Sequence, residues 1–97
     1  MKKYYVYIMS STNNATIYIG VTNDIHRRYQ EHNAGINPGF TKRYHVQKLV
    51  YFEEYSEIKD AICREKQLKG IKRIKKNAII NATNPEWKDL MANEYKS

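Results

Sequence analysis

Residues 18–32 place chemically active side chains in an unusual setting. Tyr18 ends a predicted strand, the following glycine allows a tight passage, and an amphipathic helix is predicted to follow. Spacings of three and four put four residues of that helix on one face, namely Ile25, Arg28, Tyr29 and His32. An arginine and a histidine therefore lie on the apolar side of the helix, beside a strand that carries tyrosines. Polar groups are costly to bury, so this arrangement needs a structural or a chemical reason.

Glu65 occupies a comparable position on a later helix, which is predicted over residues 57–69. It falls inside the apolar stripe of that helix, which consists of Ile58, Ala61, Ile62 and Leu68. A carboxylate that points inward is costly unless a cation neutralises it. Glu65 is therefore the one acid that we expect inside a site.

These residues, together with Tyr7 on the first predicted strand, have properties that the hydrolysis of a phosphodiester requires. A lone inward carboxylate such as Glu65 can hold one hard divalent cation, with water and phosphate oxygens in the other positions. Arg28 can bind a phosphate as a bidentate donor and stabilise charge in the transition state. A tyrosine or His32 can then take a proton from the attacking water.

A structural interpretation of the same five residues stays open. Tyr7 and Tyr18 can fill space in a sheet, and His32 can be a buried histidine with satisfied hydrogen bonds. Arg28 and Glu65 can form a buried ion pair.

Several other kinds of site lack the residues that they need. The single cysteine, Cys63, excludes an internal disulfide and a cysteine pair for zinc, and it fits a reducing compartment. His26 and His32 project from different faces of their helix, which argues against a histidine metal site. No glycine-rich loop precedes a helix, so a loop that binds nucleotide phosphates is not predicted.

The chain is strongly basic, with 17 Lys and Arg residues against 10 Asp and Glu residues and a net charge of +7. Residues 64–76 alone contain seven basic residues and a single acid. This excess favours a polyanionic partner, of which nucleic acid is the commonest, and a solvated basic surface explains it equally well. A second basic pair, Lys42-Arg43, lies in the predicted connection 36–44 and belongs either to a plain loop or to a phosphate clamp. The candidate phosphate contacts in the first segment are Lys69, Lys72, Arg73, Lys75 and Lys76.

The strand and helix signals fit one domain of 97 residues with a core over about residues 4–90. Strands are predicted at residues 4–10 and 17–21, joined as an antiparallel hairpin, and at residues 48–55. Thr22 or Asn23 is expected to cap the first helix, and Ser56 the second. No apolar run approaches the length of a membrane span, and we expect a cytoplasmic protein.

Two further helices are predicted towards the end of the chain. One covers residues 71–82 and is expected to turn three residues inward, namely Ile71, Ile74 and Ala78. The other is short and begins at Asn84 and Pro85, because proline suits the first helical position. It is expected to dock Trp87, Leu90 and Met91 on the core.

The ordered set of residues resembles the GIY-YIG nuclease superfamily, and the resemblance covers the chain from about residue 4 to residue 90. It rests on Tyr5-Val6-Tyr7, Tyr18-Ile19-Gly20, Arg28 ten residues after Tyr18, His32 four residues later, and Glu65. Within the superfamily the similarity is to small, stand-alone, largely uncharacterised bacterial proteins. They are similar at Gly39-Phe40-Thr41, Arg64-Glu65-Lys66 and Asn84-Pro85-Glu86-Trp87.

The resemblance implies an α/β sandwich, in which helices flank a three-stranded antiparallel sheet, and one Mg²⁺ or Mn²⁺ ion on Glu65. It implies that Tyr7 and Tyr18 position or activate the attacking water. Arg28 would stabilise the phosphate, and His32 would assist proton transfer. The expected function is a metal-dependent endonuclease that acts on DNA rather than RNA. The alternative is a non-catalytic module that binds nucleic acid and keeps the same fold.

The chain departs from the superfamily pattern in ways that concern packing, substrate specificity and turnover. Tyr5 stands where the first motif has glycine, which is expected to change packing. Asn77, twelve residues after Glu65, matches an asparagine of the larger nucleases and is a candidate nucleic-acid contact. Those nucleases carry a separate DNA-binding domain, so a protein partner or a second copy of this chain is expected to supply specificity here.

Overall fold

The computed structural model describes residues 2–34 and 46–92. Its elements are β1 (Tyr4–Ser11), β2 (Ile17–Thr22), α1 (Ile25–Ala34), β3 (Val46–Tyr55), α2 (Ile58–Gly70) and α3 (Arg73–Thr83). The predicted connection 36–44, with Lys42 and Arg43, lies outside the described residues. None of the described helices is long and apolar enough to cross a membrane.

β1 is the central strand of a three-stranded antiparallel sheet with the order β2-β1-β3. It forms the predicted hairpin with β2, and hydrogen bonds from Ser11 N to Thr16 O at 2.9 Å and from Asn14 N to Ser11 O at 3.0 Å close the turn. Asn14 has a φ of 61° in this turn, a conformation that asparagine tolerates better than most residues. The predicted fold class, an antiparallel sheet flanked by helices, is confirmed.

Alternation along the strands divides the core into two layers, because successive side chains point to opposite faces of the sheet. One layer packs α1 against the sheet and contains Tyr7, Met9, Ile25, Tyr29, Val46, Leu49 and Met91. The other packs α2 and α3 against the opposite face and contains Val6, Ile8, Ile19, Val50, Ala61, Leu68, Ile80 and Trp87. The two helical layers therefore share β1, which contributes residues to both.

Asp24 caps α1, so the prediction of a cap at Thr22 or Asn23 is wrong by one or two positions. The backbone N–H of Arg27 donates to Oδ1 of Asp24 at 3.1 Å, which satisfies one of the orphan amides of the first turn. Thr22 supports this cap, because its Oγ1 accepts the backbone N–H of Asp24 at 3.1 Å. The predicted inner face of α1 is observed, since Ile25, Tyr29 and His32 are buried.

α2 and α3 differ from their predicted forms in their caps and in the faces that they bury. Glu57, and not Ser56, occupies the N-cap of α2, with no side-chain hydrogen bond. Ala61 and Leu68 are fully buried as predicted, but Ile58 and Ile62 are each 39% exposed.

Of the three residues predicted to turn inward in the helix 71–82, Ile71 packs against the core, but Ile74 is 75% exposed and Ala78 is also exposed, whereas Ile80 is fully buried. Spacings of three and four from Ile80 lead back to polar residues, Arg73, Lys76 and Asn77. Because these residues are polar, the apolar pattern of the sequence did not reveal this face.

Residues 85–91 do not form the predicted short helix, and this segment runs as turns beside β3. Asn84 ends α3 instead, and its side chain donates to Val50 O at 3.1 Å and to Lys88 O at 2.8 Å. The Asn84 amide thus fixes the segment in a non-helical path, in which Trp87 has a φ of 53°. Trp87 and Met91 dock on the core as predicted, but Leu90 is 44% exposed.

Asp89 joins α1 to β3. Its Oδ2 accepts the hydroxyl of Tyr29 at 2.6 Å, and its Oδ1 accepts the backbone N–H of Leu49 at 3.3 Å and of Met91 at 3.1 Å. This carboxylate therefore fixes the position of the helix that carries Arg28 and His32.

We predict that Asp89→Ala lowers the free energy of unfolding by about 2–3 kcal/mol, because it leaves buried donors without an acceptor. Urea denaturation followed by circular dichroism measures the loss. Asp60→Ala, at an exposed position in the first turn of α2, is the control and should cost less than about 1 kcal/mol. Equal losses in the two variants would show that Asp89 does not hold α1 in place.

Candidate active site

Tyr7 lies at the centre of the candidate site, on β1, with only 1% of its surface exposed. The residue opposite it on β2 is Gly20. A Cβ atom at Gly20 would lie 2.5 Å from the Tyr7 hydroxyl oxygen and 2.7 Å from its Cζ. The Tyr7 ring therefore lies across the backbone of β2, a path that only glycine leaves open.

The inner face of α1 meets the Tyr7 hydroxyl. Arg28 donates from Nε to the Tyr7 Oη at 2.9 Å, and His32 Nε2 lies 3.4 Å from the same oxygen. The Tyr18 ring packs beside them, with its centroid 6.2 Å from that of Tyr7 and 5.6 Å from that of His32. Four of the five predicted site residues thus form one cluster.

The Tyr7 hydroxyl keeps its proton at neutral pH. Burial raises its pKa, and although the hydrogen bond and the charge of Arg28 oppose that shift, the pKa reaches about 12. Electrostatic interactions with Tyr18 and Glu65 raise it further, so Glu65 lies within electrostatic reach of Tyr7. With a pKa of about 12, only about one Tyr7 in 100,000 is ionised at pH 7.

His32 is a neutral imidazole in this site. It is 3% exposed, and burial lowers its pKa to about 4. The nearby charge of Arg28 lowers the pKa further, and Glu31 opposes both effects. Within the described part of the chain, Nδ1 of His32 is buried without a hydrogen-bond partner.

Arg28 keeps its charge despite its partial burial. Burial lowers its pKa, but the hydrogen bond and charge of Tyr7, and then hydrogen bonds with Glu31 and Tyr18, raise it above the ordinary value. Glu31 Oε1 lies 3.2 Å from Arg28 Nη1 and supplies a counterion. Glu31 was not among the predicted site residues, although its spacing of three residues from Arg28 is a signal for such a pair.

Glu65 lies on the predicted inner side of α2, where its side chain is 20% exposed. Its carboxylate forms an ion pair with Lys69 Nζ at 3.5 Å, one helical turn later. The charges of Arg28 and Glu65 are therefore balanced by Glu31 and Lys69, in place of the buried Arg28–Glu65 pair of the structural interpretation.

The basic residues of segment 64–76 divide into two groups. Arg64 and Arg73 bind the protein itself: Arg64 donates to the Glu53 carboxylate at 3.0–3.2 Å, and Arg73 donates to Asn14 O at 2.7 Å and Ala15 O at 3.0 Å. Asn77 accepts from Arg73 Nε at 2.8 Å and so belongs to this structural group. Lys69 and Lys76 line a groove beside Tyr18, and Lys72 and Lys75 are exposed. Lys42 and Arg43 lie outside the described residues.

The chain that forms this site is similar to known proteins. The family model of the GIY-YIG catalytic domain matches residues 3–81. The chain belongs to the GIY-YIG family. This is a nuclease superfamily, and the roles of individual site residues in this chain stay predictions.

The relatives are proteins of similar length. A UPF0213 protein of Syntrophus aciditrophicus is 38% identical over 87 residues, which cover 89% of this chain and 98% of the relative. A UPF0213 protein of Haloquadratum walsbyi is 36% identical over 76 residues, covering 78% of this chain and 84% of the relative. The solution NMR structure of a UPF0213 protein of Bacillus halodurans is 23% identical and covers 93% of this chain and 95% of its own, with a TM-score of 0.58. This last similarity supports the GIY-YIG fold.

We predict that Gly20→Ala destabilises this GIY-YIG protein by about 1–3 kcal/mol, because the new methyl group overlaps the Tyr7 hydroxyl in a packed core. Tyr7→Phe removes the atom that the methyl group meets first. The double variant should therefore unfold at a higher denaturant concentration than additive effects allow.

Gly70→Ala is the matched control, since a Cβ there meets nothing within 4 Å. It should be neutral or stabilise the protein by up to about 1 kcal/mol through helix propensity. Additive losses for Gly20→Ala and Tyr7→Phe would contradict the close contact.

We also predict that the protein loses stability as the pH falls from 7 to 5, and that His32 causes much of the loss. The pKa of His32 is about 6.5 when unfolded and about 4 when folded. Between these values the unfolded chain binds a proton that the folded protein excludes. At pH 5 the loss is about 2 kcal/mol.

Urea denaturation at several pH values measures this slope. His32→Gln should flatten it, and Gln30→Ala, at an exposed position without a titratable group on the same helix, should leave it unchanged. An unaltered slope in His32→Gln would assign the loss to other groups.

Proposed function

We propose that this GIY-YIG protein hydrolyses phosphodiester bonds in nucleic acid, with Tyr7, Tyr18, Arg28, His32 and Glu65 as its catalytic residues. The observation that supports this most is the contact of Tyr7 with both Arg28 and His32 at one buried point, within electrostatic reach of Glu65. The preference for DNA over RNA rests on membership of the family alone. A protein partner or a second copy of the chain would add specificity.

Arg28 is suited to bind the phosphate. It stays charged, its side chain is 28% exposed, and the Tyr7 hydroxyl fixes the plane of its guanidinium through Nε. A guanidinium held in this way presents donors in a fixed geometry to an anion, and such donors stabilise charge that develops in a transition state. The Glu31 carboxylate neutralises Arg28 in the free protein and would yield part of that role to the phosphate.

Tyr7 and His32 are suited to transfer a proton together. Since the pKa of Tyr7 is about 12, almost none of its hydroxyl is ionised at neutral pH, and Tyr7 needs a second group to act as a base. The neutral imidazole of His32 can accept the Tyr7 proton at Nε2 while Tyr7 Oη takes a proton from the attacking water. Tyr18 packs against both rings and would fix the position of that water together with Tyr7.

The donor set around Glu65 fits one Mg²⁺ or Mn²⁺ ion. In the described part of the chain no cluster of three His, Cys, Asp or Glu residues could enclose a metal. A single carboxylate that is 20% exposed suits a hard cation whose other ligands are waters and phosphate oxygens. When bound, such a cation polarises the phosphate and offsets its charge. Lys69 would have to release the Glu65 carboxylate, and it is exposed enough to do so.

The alternative function is binding of nucleic acid without cleavage. Two observations favour it: Glu65 already has a counterion in Lys69, and burial keeps Tyr7 protonated. The basic groove beside Tyr18 would serve this function equally well.

Glu65→Gln separates the two functions. We predict that wild-type protein with Mg²⁺ cleaves at least one DNA in a panel of duplex, branched and single-stranded substrates, and that Glu65→Gln is slower by at least about 100-fold. In EDTA the variant should be as stable as the wild type within about 1 kcal/mol, because the Glu65–Lys69 pair is partly solvated. Mg²⁺ should raise the melting temperature of the wild type and not of the variant.

Glu86→Gln, which alters a carboxylate that is 72% exposed, is the control and should behave as the wild type. Cleavage by Glu65→Gln at the wild-type rate would remove Glu65 from the site. Binding without cleavage by the wild type, and no effect of Mg²⁺ on its melting temperature, would favour the alternative function.

A further inference from the structure

A groove of about 360 Å³ lies along the outer edge of β2, between that strand and the lysines of α2 and α3. Its lining consists of Ile17, Tyr18, Ile19, Lys69 and Lys76. The volume is at the lower end of the range of about 300–1,000 Å³ that is typical of ligand pockets. The groove is therefore large enough for one small planar group and too small for a duplex.

The lining combines three properties that suit a nucleotide. Two isoleucines and the hydrocarbon parts of the lysines provide apolar contacts for the faces of a base. Tyr18 is the aromatic residue of the lining, and bases stack on aromatic side chains. Lys69 and Lys76 provide positive charges for the phosphates on either side of that base.

The groove is continuous with the candidate active site through two of its residues. Tyr18 packs against Tyr7 and His32, with ring centroids 6.2 Å and 5.6 Å away. Lys69 Nζ lies 3.5 Å from the Glu65 carboxylate. A base held in the groove would therefore place its own phosphate next to the residues that we propose to act on it.

We propose that this groove binds a single unpaired nucleobase next to the phosphodiester that is cleaved. The preferred substrate class is thus nucleic acid with an unpaired nucleotide, such as a bulge, a flap or a single strand, over intact duplex. A base within a duplex is stacked and paired on its neighbours, so it can enter the groove only after it is extruded. The position of the groove beside the cleaved bond rests on the proposed function, whereas base binding in it does not.

The test compares the affinity for three labelled DNA duplexes in EDTA, where no metal-dependent cleavage occurs. One duplex is fully paired, one contains a single unpaired thymidine, and one contains an abasic residue in the place of that thymidine. The abasic DNA has the same phosphates and the same local flexibility but lacks the base. We expect the thymidine bulge to bind about 5- to 20-fold more tightly than the abasic bulge, by loss of one stacked base.

Two variants with the same substitution locate the effect. Ile17→Ala enlarges the groove and should reduce the preference for thymidine over the abasic residue at least about threefold. Ile74→Ala changes an isoleucine that is 75% exposed and lies outside the groove, and it should keep the full preference. Equal affinity of the wild type for the two bulges would overturn the proposal, as would a preference that Ile17→Ala leaves intact.

Failure of this proposal can be told apart from failure of the proposed function. If the protein prefers the thymidine bulge but cleaves no DNA with Mg²⁺, the base site is supported and the proposed nuclease activity is wrong. If the protein cleaves DNA but binds both bulges equally, the nuclease activity is supported and the base site is wrong.

Discussion

The site depends on one constraint of the sheet, namely that Tyr7 on β1 lies directly opposite Gly20 on β2. Only because Gly20 has no Cβ can the Tyr7 ring cross β2 and bring its hydroxyl to the inner face of α1. Arg28 and His32 meet that hydroxyl one helical turn apart. The hairpin register and the placement of α1 must therefore agree within a fraction of an ångström, and Asp89 contributes to that agreement by bonding α1 to β3 through Tyr29. The position of the Tyr7 hydroxyl in the candidate site thus depends on the absence of a side chain at Gly20.

The site balances its charges with groups that a substrate can replace. Arg28 carries a full positive charge and is neutralised by Glu31, while Glu65 carries a negative charge and is neutralised by Lys69. Both counterions are partly exposed, so each pair is partly solvated and contributes little to stability. In the proposed function a phosphate would replace Glu31 at Arg28, and a cation would replace Lys69 at Glu65, at small cost to the fold. Fully buried pairs would have resisted this exchange.

Sequence reasoning predicted the parts of the fold that apolar periodicity encodes and failed where polar side chains face inward. The sheet and the inner face of α1 follow from alternation and from spacings of three and four, which also gave Glu65 its position. The inner face of α3 did not, because polar residues, Lys76 and Asn77, precede the buried Ile80 on that face. Asn84 resembles a helix cap in sequence, but its amide bonds to β3 and keeps the following segment out of a helix. The sequence did not predict that Gly20 lies opposite Tyr7, because this depends on the register of the hairpin, which residue types alone do not specify.

The net charge of residues 64–76 does not indicate how many of them are free to bind nucleic acid, because the arginines and the lysines make different contacts. Arg64 binds the Glu53 carboxylate with two of its nitrogens, and hydrogen bonds of this kind lower the pKa of Glu53 although burial raises it. Arg73 binds two backbone carbonyls and lies 5.9 Å from the centroid of the Trp87 ring. The planar guanidinium suits such fixed, multiple contacts, whereas a lysine amine on a flexible stem suits a partner that arrives from solvent. The arginines therefore hold α2 and α3 against the sheet, and in the proposed function the lysines, with Lys69 and Lys76 at the groove, would supply the charge that a phosphate backbone meets.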